Sequence, residues 1–144
     1  MDREAIWLSG YATNTVLYNW IAAINQIRNQ AIYADSTYIT YNTQPVYQDL
    51  NTIAIRKGVT GKQMISVFSN LGAGGATYSL GLSPAVTGYA PSFALIEITT
   101  CTAYTTDAAG YLSVAMTNGL PTVFYPLALL AGSGICSGVT GLFF

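Results

Sequence analysis

The sequence predicts an all-β protein, an antiparallel Greek-key β-sandwich of about seven to eight strands, preceded by one amphipathic α-helix. The first observation behind this prediction is a series of short runs rich in β-branched and aromatic residues, which favour strands. Segments rich in Gly, Pro, Asn and Ser separate these runs, and one stretch near the N-terminus has helical spacing. No helix-length segment lies between the runs, so a parallel sheet with crossover helices is not expected.

The helix is predicted from Asn14 to Ile32, where apolar residues recur at intervals of three and four. Thr13 or Asn14 can cap its first turn, and it is expected to end near Tyr33, before the turn-forming pair Asp35-Ser36. Exposing this face would forgo roughly 1.5–3 kcal/mol for each large side chain. Either the sandwich or a partner must therefore cover it. The apolar stripe consists of Leu17, Trp20, Ile21, Ile24, Ile27 and Ala31.

The strands are predicted in seven runs, each bounded by turn-forming residues. We expect Trp20 to pack in the core with the helix. The predicted strands are 37–41, 52–56, 64–68, 77–82, 93–99, 111–116 and 122–125.

The composition excludes several classes of function. The chain is 51% hydrophobic and 8% charged with a net charge of −1, as expected of a chain that buries a core. Its five basic residues form no stripe that could neutralise phosphates, so no nucleic-acid partner is predicted; the pair Arg56-Lys57 is interpreted as a solvated turn. The apolar run 123–132 is too short to span a membrane and contains Pro126, so no membrane partner is predicted.

The sequence offers no catalytic or metal-ligating constellation. It contains no His, so Ser and Cys nucleophiles lack an imidazole base, and two Cys cannot build a zinc site. Glycoside hydrolysis needs two carboxyl groups flanking one bond, and no persuasive pair is visible. Asp35, Asp49 and Asp107 are interpreted as solvated turn residues, and Glu97 as an exposed strand residue.

The two cysteines, Cys101 and Cys136, form either one disulfide or two buried thiols. A composition rich in Thr, Tyr, Ser, Gly and Asn but poor in Lys and Glu favours an extracellular protein and hence the disulfide. Such a bond would contribute roughly 3.5–4 kcal/mol. The first 15 residues lack the basic and apolar regions of a signal peptide, so we expect the native N-terminus to lie upstream.

Several stretches together resemble one family, the fungal α-amylases of the glycoside hydrolase class. Arg3 to Tyr11, REAIWLSGY, resembles the segment that leads into the final helix of the catalytic barrel. Four further stretches, spread along the chain in order, resemble the family's C-terminal β-sandwich. These are 52–58, 69–75, 119–126 and 130–136.

The resemblance implies a division into residues 1–34, the terminal loop and last helix of a (β/α)8 barrel, and residues 35–144, the C-terminal β-sandwich. Arg3 matches an arginine that hydrogen-bonds glucose units, so it is the predicted substrate-binding residue. Cys101 and Cys136 fall where the family's disulfide lies. The catalytic Asp, Glu and Asp and the calcium ligands belong to earlier barrel segments, so we expect this chain to hold no catalytic residue and no cofactor.

The resemblance further implies the C-terminal portion of a secreted enzyme that endo-hydrolyses α-1,4-glucan bonds in starch. This chain would supply the barrel-closing helix and a supporting sandwich, with the missing barrel as its partner, and would be inactive alone. One alternative is a stand-alone glucan-binding module that uses exposed Tyr. Another is a truncated gene product that exposes the stripe of Leu17, Trp20 and Ile24.

Overall fold

The computed structural model describes residues 10–137. It begins with helix α1 (Val16–Ala34), followed by a 3₁₀ turn at Ser36–Ile39. Within the described residues there are eight strands, one short helix α2 (Pro84–Thr87) and a second 3₁₀ turn at Leu127–Leu130. The strands are β1 (Gln44–Gln48), β2 (Thr52–Lys57), β3 (Met64–Ser69), β4 (Tyr78–Leu82), β5 (Ala94–Glu97), β6 (Thr102–Thr105), β7 (Leu112–Met116) and β8 (Thr122–Pro126).

The strands form two antiparallel sheets that pack as a sandwich. Six strands make the larger sheet in the order β1-β2-β3-β8-β5-β6, and β4 pairs with β7 in the smaller one. The larger sheet is open, with β1 and β6 at its edges. The predicted all-β sandwich preceded by one long helix is therefore confirmed.

Two apolar layers hold the fold together. One lies between the sheets and includes Val67 from β3, Leu82 from β4 and Val114 from β7. The other lies on the outer face of the larger sheet, where α1 packs through Ile27 and Ala31. The larger sheet is thus covered by the smaller sheet on one face and, in part, by α1 on the other.

The structure corrects the predicted elements in three respects. Residues 37–41 were expected to form a strand, but a 3₁₀ turn occupies Ser36–Ile39 because the Asp35 carboxylate accepts hydrogen bonds from the backbone N–H and hydroxyl of Thr37. The edge strands β1 and β6 were not predicted, since Pro45 in β1 and the shortness of β6 weaken the pattern. Helix α1 is capped by Thr15, whose hydroxyl accepts from the Tyr18 N–H, rather than by Thr13 or Asn14.

Candidate functional site

Helix α1 docks on the larger sheet mainly through its C-terminal half. Ile27 and Ala31 are buried against Ile96, Val123 and other residues of the sheet's outer face. Polar contacts fix the same end, since the Gln30 side-chain amide donates to the Leu129 carbonyl at 2.6 Å. The C-terminal half is thus held by both apolar packing and hydrogen bonds.

A lysine fastens the end of α1 to the turn between β2 and β3. The Lys62 ammonium lies 3.2 Å from the Asp35 carboxylate and also donates to the Ala34 carbonyl. Asp35 is the C-cap of α1 and the N-cap of the following 3₁₀ turn. Hydrogen bonds from Thr37, followed by the interaction with Lys62, hold the pKa of Asp35 below its usual value.

The N-terminal half of α1 leaves apolar side chains in solvent. Val16 and Leu17 are 87% and 66% exposed, and Ile21 is 46% exposed. We call Val16, Leu17, Trp20 and Ile21 the helix patch. Large apolar side chains grouped on one helix face are typical of a contact surface. Of the predicted stripe, therefore, the sandwich covers the C-terminal part, and within residues 10–137 Leu17 and Ile21 remain exposed.

Trp20 lies at the boundary between the two halves. It lines a hollow of about 330 Å³ together with Val16, Asn19, Ala23 and Thr99. Its indole N–H is buried but has no hydrogen-bond partner among the described residues. A buried indole N–H normally finds an acceptor. The hollow therefore offers one apolar wall and one donor to whatever covers it, and Trp20 is only partly a core residue.

Glu97 is buried, contrary to the prediction of an exposed strand carboxylate; its exposed fraction is 2%. Its oxygens accept hydrogen bonds from the backbone N–H and hydroxyl of both Thr99 and Thr100, and from the Val123 N–H at 3.0 Å. These donors replace the water that a buried carboxylate loses. The sequence does contain a signal for this buried carboxylate, namely the two consecutive threonines that follow the apolar strand.

The Glu97 network shapes the turn on which α1 rests, because Thr99 is also a wall of the Trp20 hollow. The disulfide fixes the same turn from its other end. Cys101 and Cys136 are bonded, with Cα atoms 5.3 Å apart. This bond joins the β5–β6 turn to the segment that follows the second 3₁₀ turn, so the predicted disulfide is present and has a clear structural position.

The remaining described carboxylates serve turns, as predicted. Asp49 accepts from the Asn51 and Thr52 N–H groups and from the Tyr47 hydroxyl. This hydroxyl is the main reason that the pKa of Asp49 is lowered. Asp107 accepts from the backbone N–H groups of Ala109 and Tyr111.

The pair Arg56-Lys57 is not a solvated turn, which corrects the prediction. Both residues belong to β2 and are half-buried. The Arg56 guanidinium reaches Thr60 and lies so close to Gly88 that a Cβ there would be 2.7 Å from its Nη1 atom. Lys57 donates to the Tyr41 carbonyl. Both side chains support the fold.

The predicted substrate-binding residue, Arg3, lies outside the described residues. Across residues 10–137, no three acidic or cysteine side chains converge where they could hold a metal ion. None of the helices in that range is long and apolar enough to cross a membrane. The site that the described residues do present is an exposed apolar surface, formed by the helix patch and the turn held by Glu97 and the disulfide.

Comparison with known proteins agrees with this architecture. Residues 45–141 match the family model "Alpha-amylase, domain C". The chain is 43% identical over 136 residues to Alpha-amylase 1 of Schwanniomyces occidentalis, covering 94% of this chain and 26% of the relative. It is 55% identical over 136 residues to Alpha-amylase 1 of Lipomyces kononenkoae, covering 94% of this chain and 22% of the relative.

A solved structure of an alpha-amylase from Malbranchea cinnamomea superposes with a TM-score of 0.82 at 39% identity. The superposition covers 92% of this chain and 27% of that one. The chain thus spans about a quarter of the length of the relatives it matches, and its sandwich corresponds to their non-catalytic C-terminal domain. On the evidence of sequence and fold together, this chain belongs to the alpha-amylase domain C family.

Proposed function

We propose that this chain is the supporting C-terminal part of a secreted enzyme that endo-hydrolyses α-1,4-glucan bonds in starch. Its partner in this proposal is a catalytic (β/α)8 barrel, which supplies the nucleophilic Asp, the acid/base Glu and the second Asp. The chain contributes the helix that closes the barrel and the sandwich that packs beside it. It does not hydrolyse starch by itself.

The observation that carries this proposal is the division of α1 into a docked half and an exposed half. Burying Leu17 and Ile21 would gain roughly 1.5–3 kcal/mol each, and nothing within the described residues covers them. The matched relatives contain about three times as much polypeptide outside the matched part as within it. A preceding domain in such an enzyme is the natural cover for the helix patch.

The proposal divides the chain at residues 34 and 35. The end of α1 at Ala34 and the separate turn that Asp35 begins support this division. Arg3 is proposed to hydrogen-bond glucose units at the edge of the active-site cleft of the full enzyme. Calcium is proposed to bind the barrel, and not this chain.

Secretion is supported by the disulfide, which is typical of proteins that fold in oxidising compartments. The bond between Cys101 and Cys136 links two described segments of the sandwich. It would be kept reduced in a cytosol poised by glutathione, so we expect the parent enzyme to be extracellular.

The test is an assay of the purified chain with soluble starch. No release of reducing sugars above a buffer control is expected, because the catalytic carboxylates are proposed to lie in the barrel. Release that a mock purification lacks and that rises in proportion to the concentration of the chain would contradict the proposal.

A starch-affinity column, run with the same sample, tests the alternative that the chain is a stand-alone glucan-binding module. Among the described residues, the two most exposed aromatic side chains are those of Tyr11 and Tyr33, which α1, about 28 Å long, separates. They therefore form no common stacking platform, and we expect the chain to pass through unretarded. Retention that is lost on Tyr→Ala substitution would favour the alternative.

A further inference from the structure

A second exposed apolar surface lies on the larger sheet within the described residues. The β1–β2 turn and the end of β3 enclose a hollow of about 390 Å³, whose apolar walls are Leu50, Ile53 and Phe68. Gln48 and Asn70 are among the polar residues beside them. We call this the sheet hollow. Leu50 is 88% exposed and Ile53 is 37% exposed, so these apolar groups face solvent.

The sheet hollow opens on the same face of the sheet that α1 covers. Met64 packs in the apolar layer beneath α1. Side chains two and four residues further along a strand lie on the same face, which places Phe68 on the face of Met64. Ile53 is the cross-strand partner of Phe68, and paired residues share a face. The sheet hollow therefore continues the surface on which α1 docks.

The sheet hollow also lies at the same end of the sheet as the helix patch. Glu97 is opposite Phe124, and Phe124 is opposite Ile65. Because β3 and β5 both pair antiparallel with β8, they run in the same direction. Two residues beyond Ile65 and Glu97, Val67 and Thr99 therefore lie at about the same level of the sheet, and Val67 is the neighbour of Phe68. Thr99 lines the Trp20 hollow on α1. Since β3 and β5 are two strands apart in the sheet, about 10 Å separates the backbone of Val67 from that of Thr99.

The chemistry of the sheet hollow suits a protein surface. Its one carboxylate, Asp49, is occupied by the N–H groups of Asn51 and Thr52 and by the Tyr47 hydroxyl. The remaining polar groups are amides and hydroxyls around exposed apolar side chains, as in an interface with a polar rim. Two such surfaces on one face and at one end can be covered by a single partner.

We propose that the sheet hollow is a second contact surface for the domain that covers the helix patch, the barrel in the preceding part of the enzyme. This inference rests on the proposed function and adds to it a surface, provided by β1, β2 and β3, that is separate from α1. The occupant is the three quarters of the relatives' polypeptide that this chain does not span.

Cysteine labelling tests the proposal directly. Both natural cysteines are in the disulfide, so Leu50→Cys, Leu17→Cys and Tyr111→Cys each introduce one thiol at an exposed position. Each variant is prepared as the isolated chain and within a chimera, in which this chain replaces the matched quarter of Schwanniomyces occidentalis Alpha-amylase 1. Reaction with a maleimide is timed, the rate of the unsubstituted chimera is subtracted, and circular dichroism confirms folding.

Leu50→Cys and Leu17→Cys are expected to react at least about tenfold more slowly in the chimera than in the isolated chain, since buried thiols are inert. Tyr111→Cys, which precedes β7 in the other sheet, is expected to react equally in both. Protection of position 17 without protection of position 50 would overturn the second surface and leave the proposed function intact. Protection of neither, in a folded chimera that hydrolyses no starch, would overturn both. Protection of position 50 in the isolated chain that increases with concentration would assign the hollow to a second copy and also overturn the proposal.

Discussion

At the scale of single residues, Glu97 connects the core of the sandwich to the surface that α1 uses. Its carboxylate organises the Thr99–Thr100 turn and ties it to β8 through the Val123 N–H. Alternation along LIEIT predicted an exposed side chain, but β5 is an inner strand with both faces covered. The alternation of apolar and polar residues alone cannot distinguish a strand with one buried face from a strand with two buried faces.

Glu97→Ala is expected to lower the free energy of unfolding by about 1–3 kcal/mol, because the buried Val123 N–H group loses its acceptor. The part-buried N–H groups of Thr99 and Thr100 lose theirs as well. Glu97→Gln should also destabilise, since its amide presents a donor where the turn supplies only donors. Asp107→Asn is the matched control, because an amide oxygen can accept both turn bonds; we expect a change below about 0.5 kcal/mol. Urea titration measures all three, and a neutral Glu97→Ala would contradict this role.

Tyr125 makes the free energy of unfolding depend on pH in the alkaline range. Burial raises the pKa of its hydroxyl to about 12, whereas an unfolded tyrosine titrates near 10. The folded state therefore keeps a proton that the unfolded state loses, so this stability is fully present below pH 10 and is lost as the pH rises toward 12. Burial also raises the pKa of Tyr89, which acts in the same direction.

We expect the free energy of unfolding to fall by on the order of 2 kcal/mol per shifted tyrosine between pH 10 and 12. In Tyr125→Phe the fall should be smaller, because one of the titrating groups is gone. Exposed Tyr33 is the control, so Tyr33→Phe should show the same pH profile as the unsubstituted chain. Urea titrations at several pH values decide this, and identical profiles for all three proteins would contradict it.

At the scale of elements, the two halves of α1 differ in burial: the C-terminal half packs on the sandwich, and the N-terminal half is largely exposed. Its existence was predictable because six apolar residues repeat at helical spacing over two heptads. Which half the sandwich covers was not predictable, because the stripe is equally apolar along its length. That depends on where the Asp35 turn and Lys62 fix the end of the helix.

Ile27→Ala is expected to cost the isolated chain about 2–5 kcal/mol, as for other large-to-small changes in a core. Ile21→Ala, on the exposed half of the same helix, should cost less than about 1 kcal/mol. Thermal unfolding of the isolated chain compares the two. Equal losses would show that α1 docks along its whole length, contrary to the structure.

The disulfide is the second element-level constraint. It closes a loop of 35 residues between the β5–β6 turn and the end of the described chain. Cys101→Ser with Cys136→Ser should reduce the free energy of unfolding by about 3.5–4 kcal/mol in the chain-entropy estimate. Denaturant titration against the oxidised chain measures this, and a loss below about 1 kcal/mol would contradict a constraint on the unfolded state.

At the scale of the whole molecule, the sequence predicted the sandwich better than it predicted the surface. Six of the eight strands follow from β-branched runs between turns, whereas β1 and β6 are edge strands with little pattern. The helix patch and the sheet hollow depend on register across four strands, which no single stretch encodes. Their common position on one face is the feature on which the proposed contact with a catalytic domain depends.

The most direct test of the central claim is starch hydrolysis by the chimera, in which this chain replaces the matched quarter of Schwanniomyces occidentalis Alpha-amylase 1. We predict that the chimera releases reducing sugars from starch. The same host without its matched quarter should release none, because the barrel then lacks its closing helix. A chimera that folds, as shown by circular dichroism, and yet is inactive would contradict the claim that this chain is the supporting C-terminal part of an alpha-amylase.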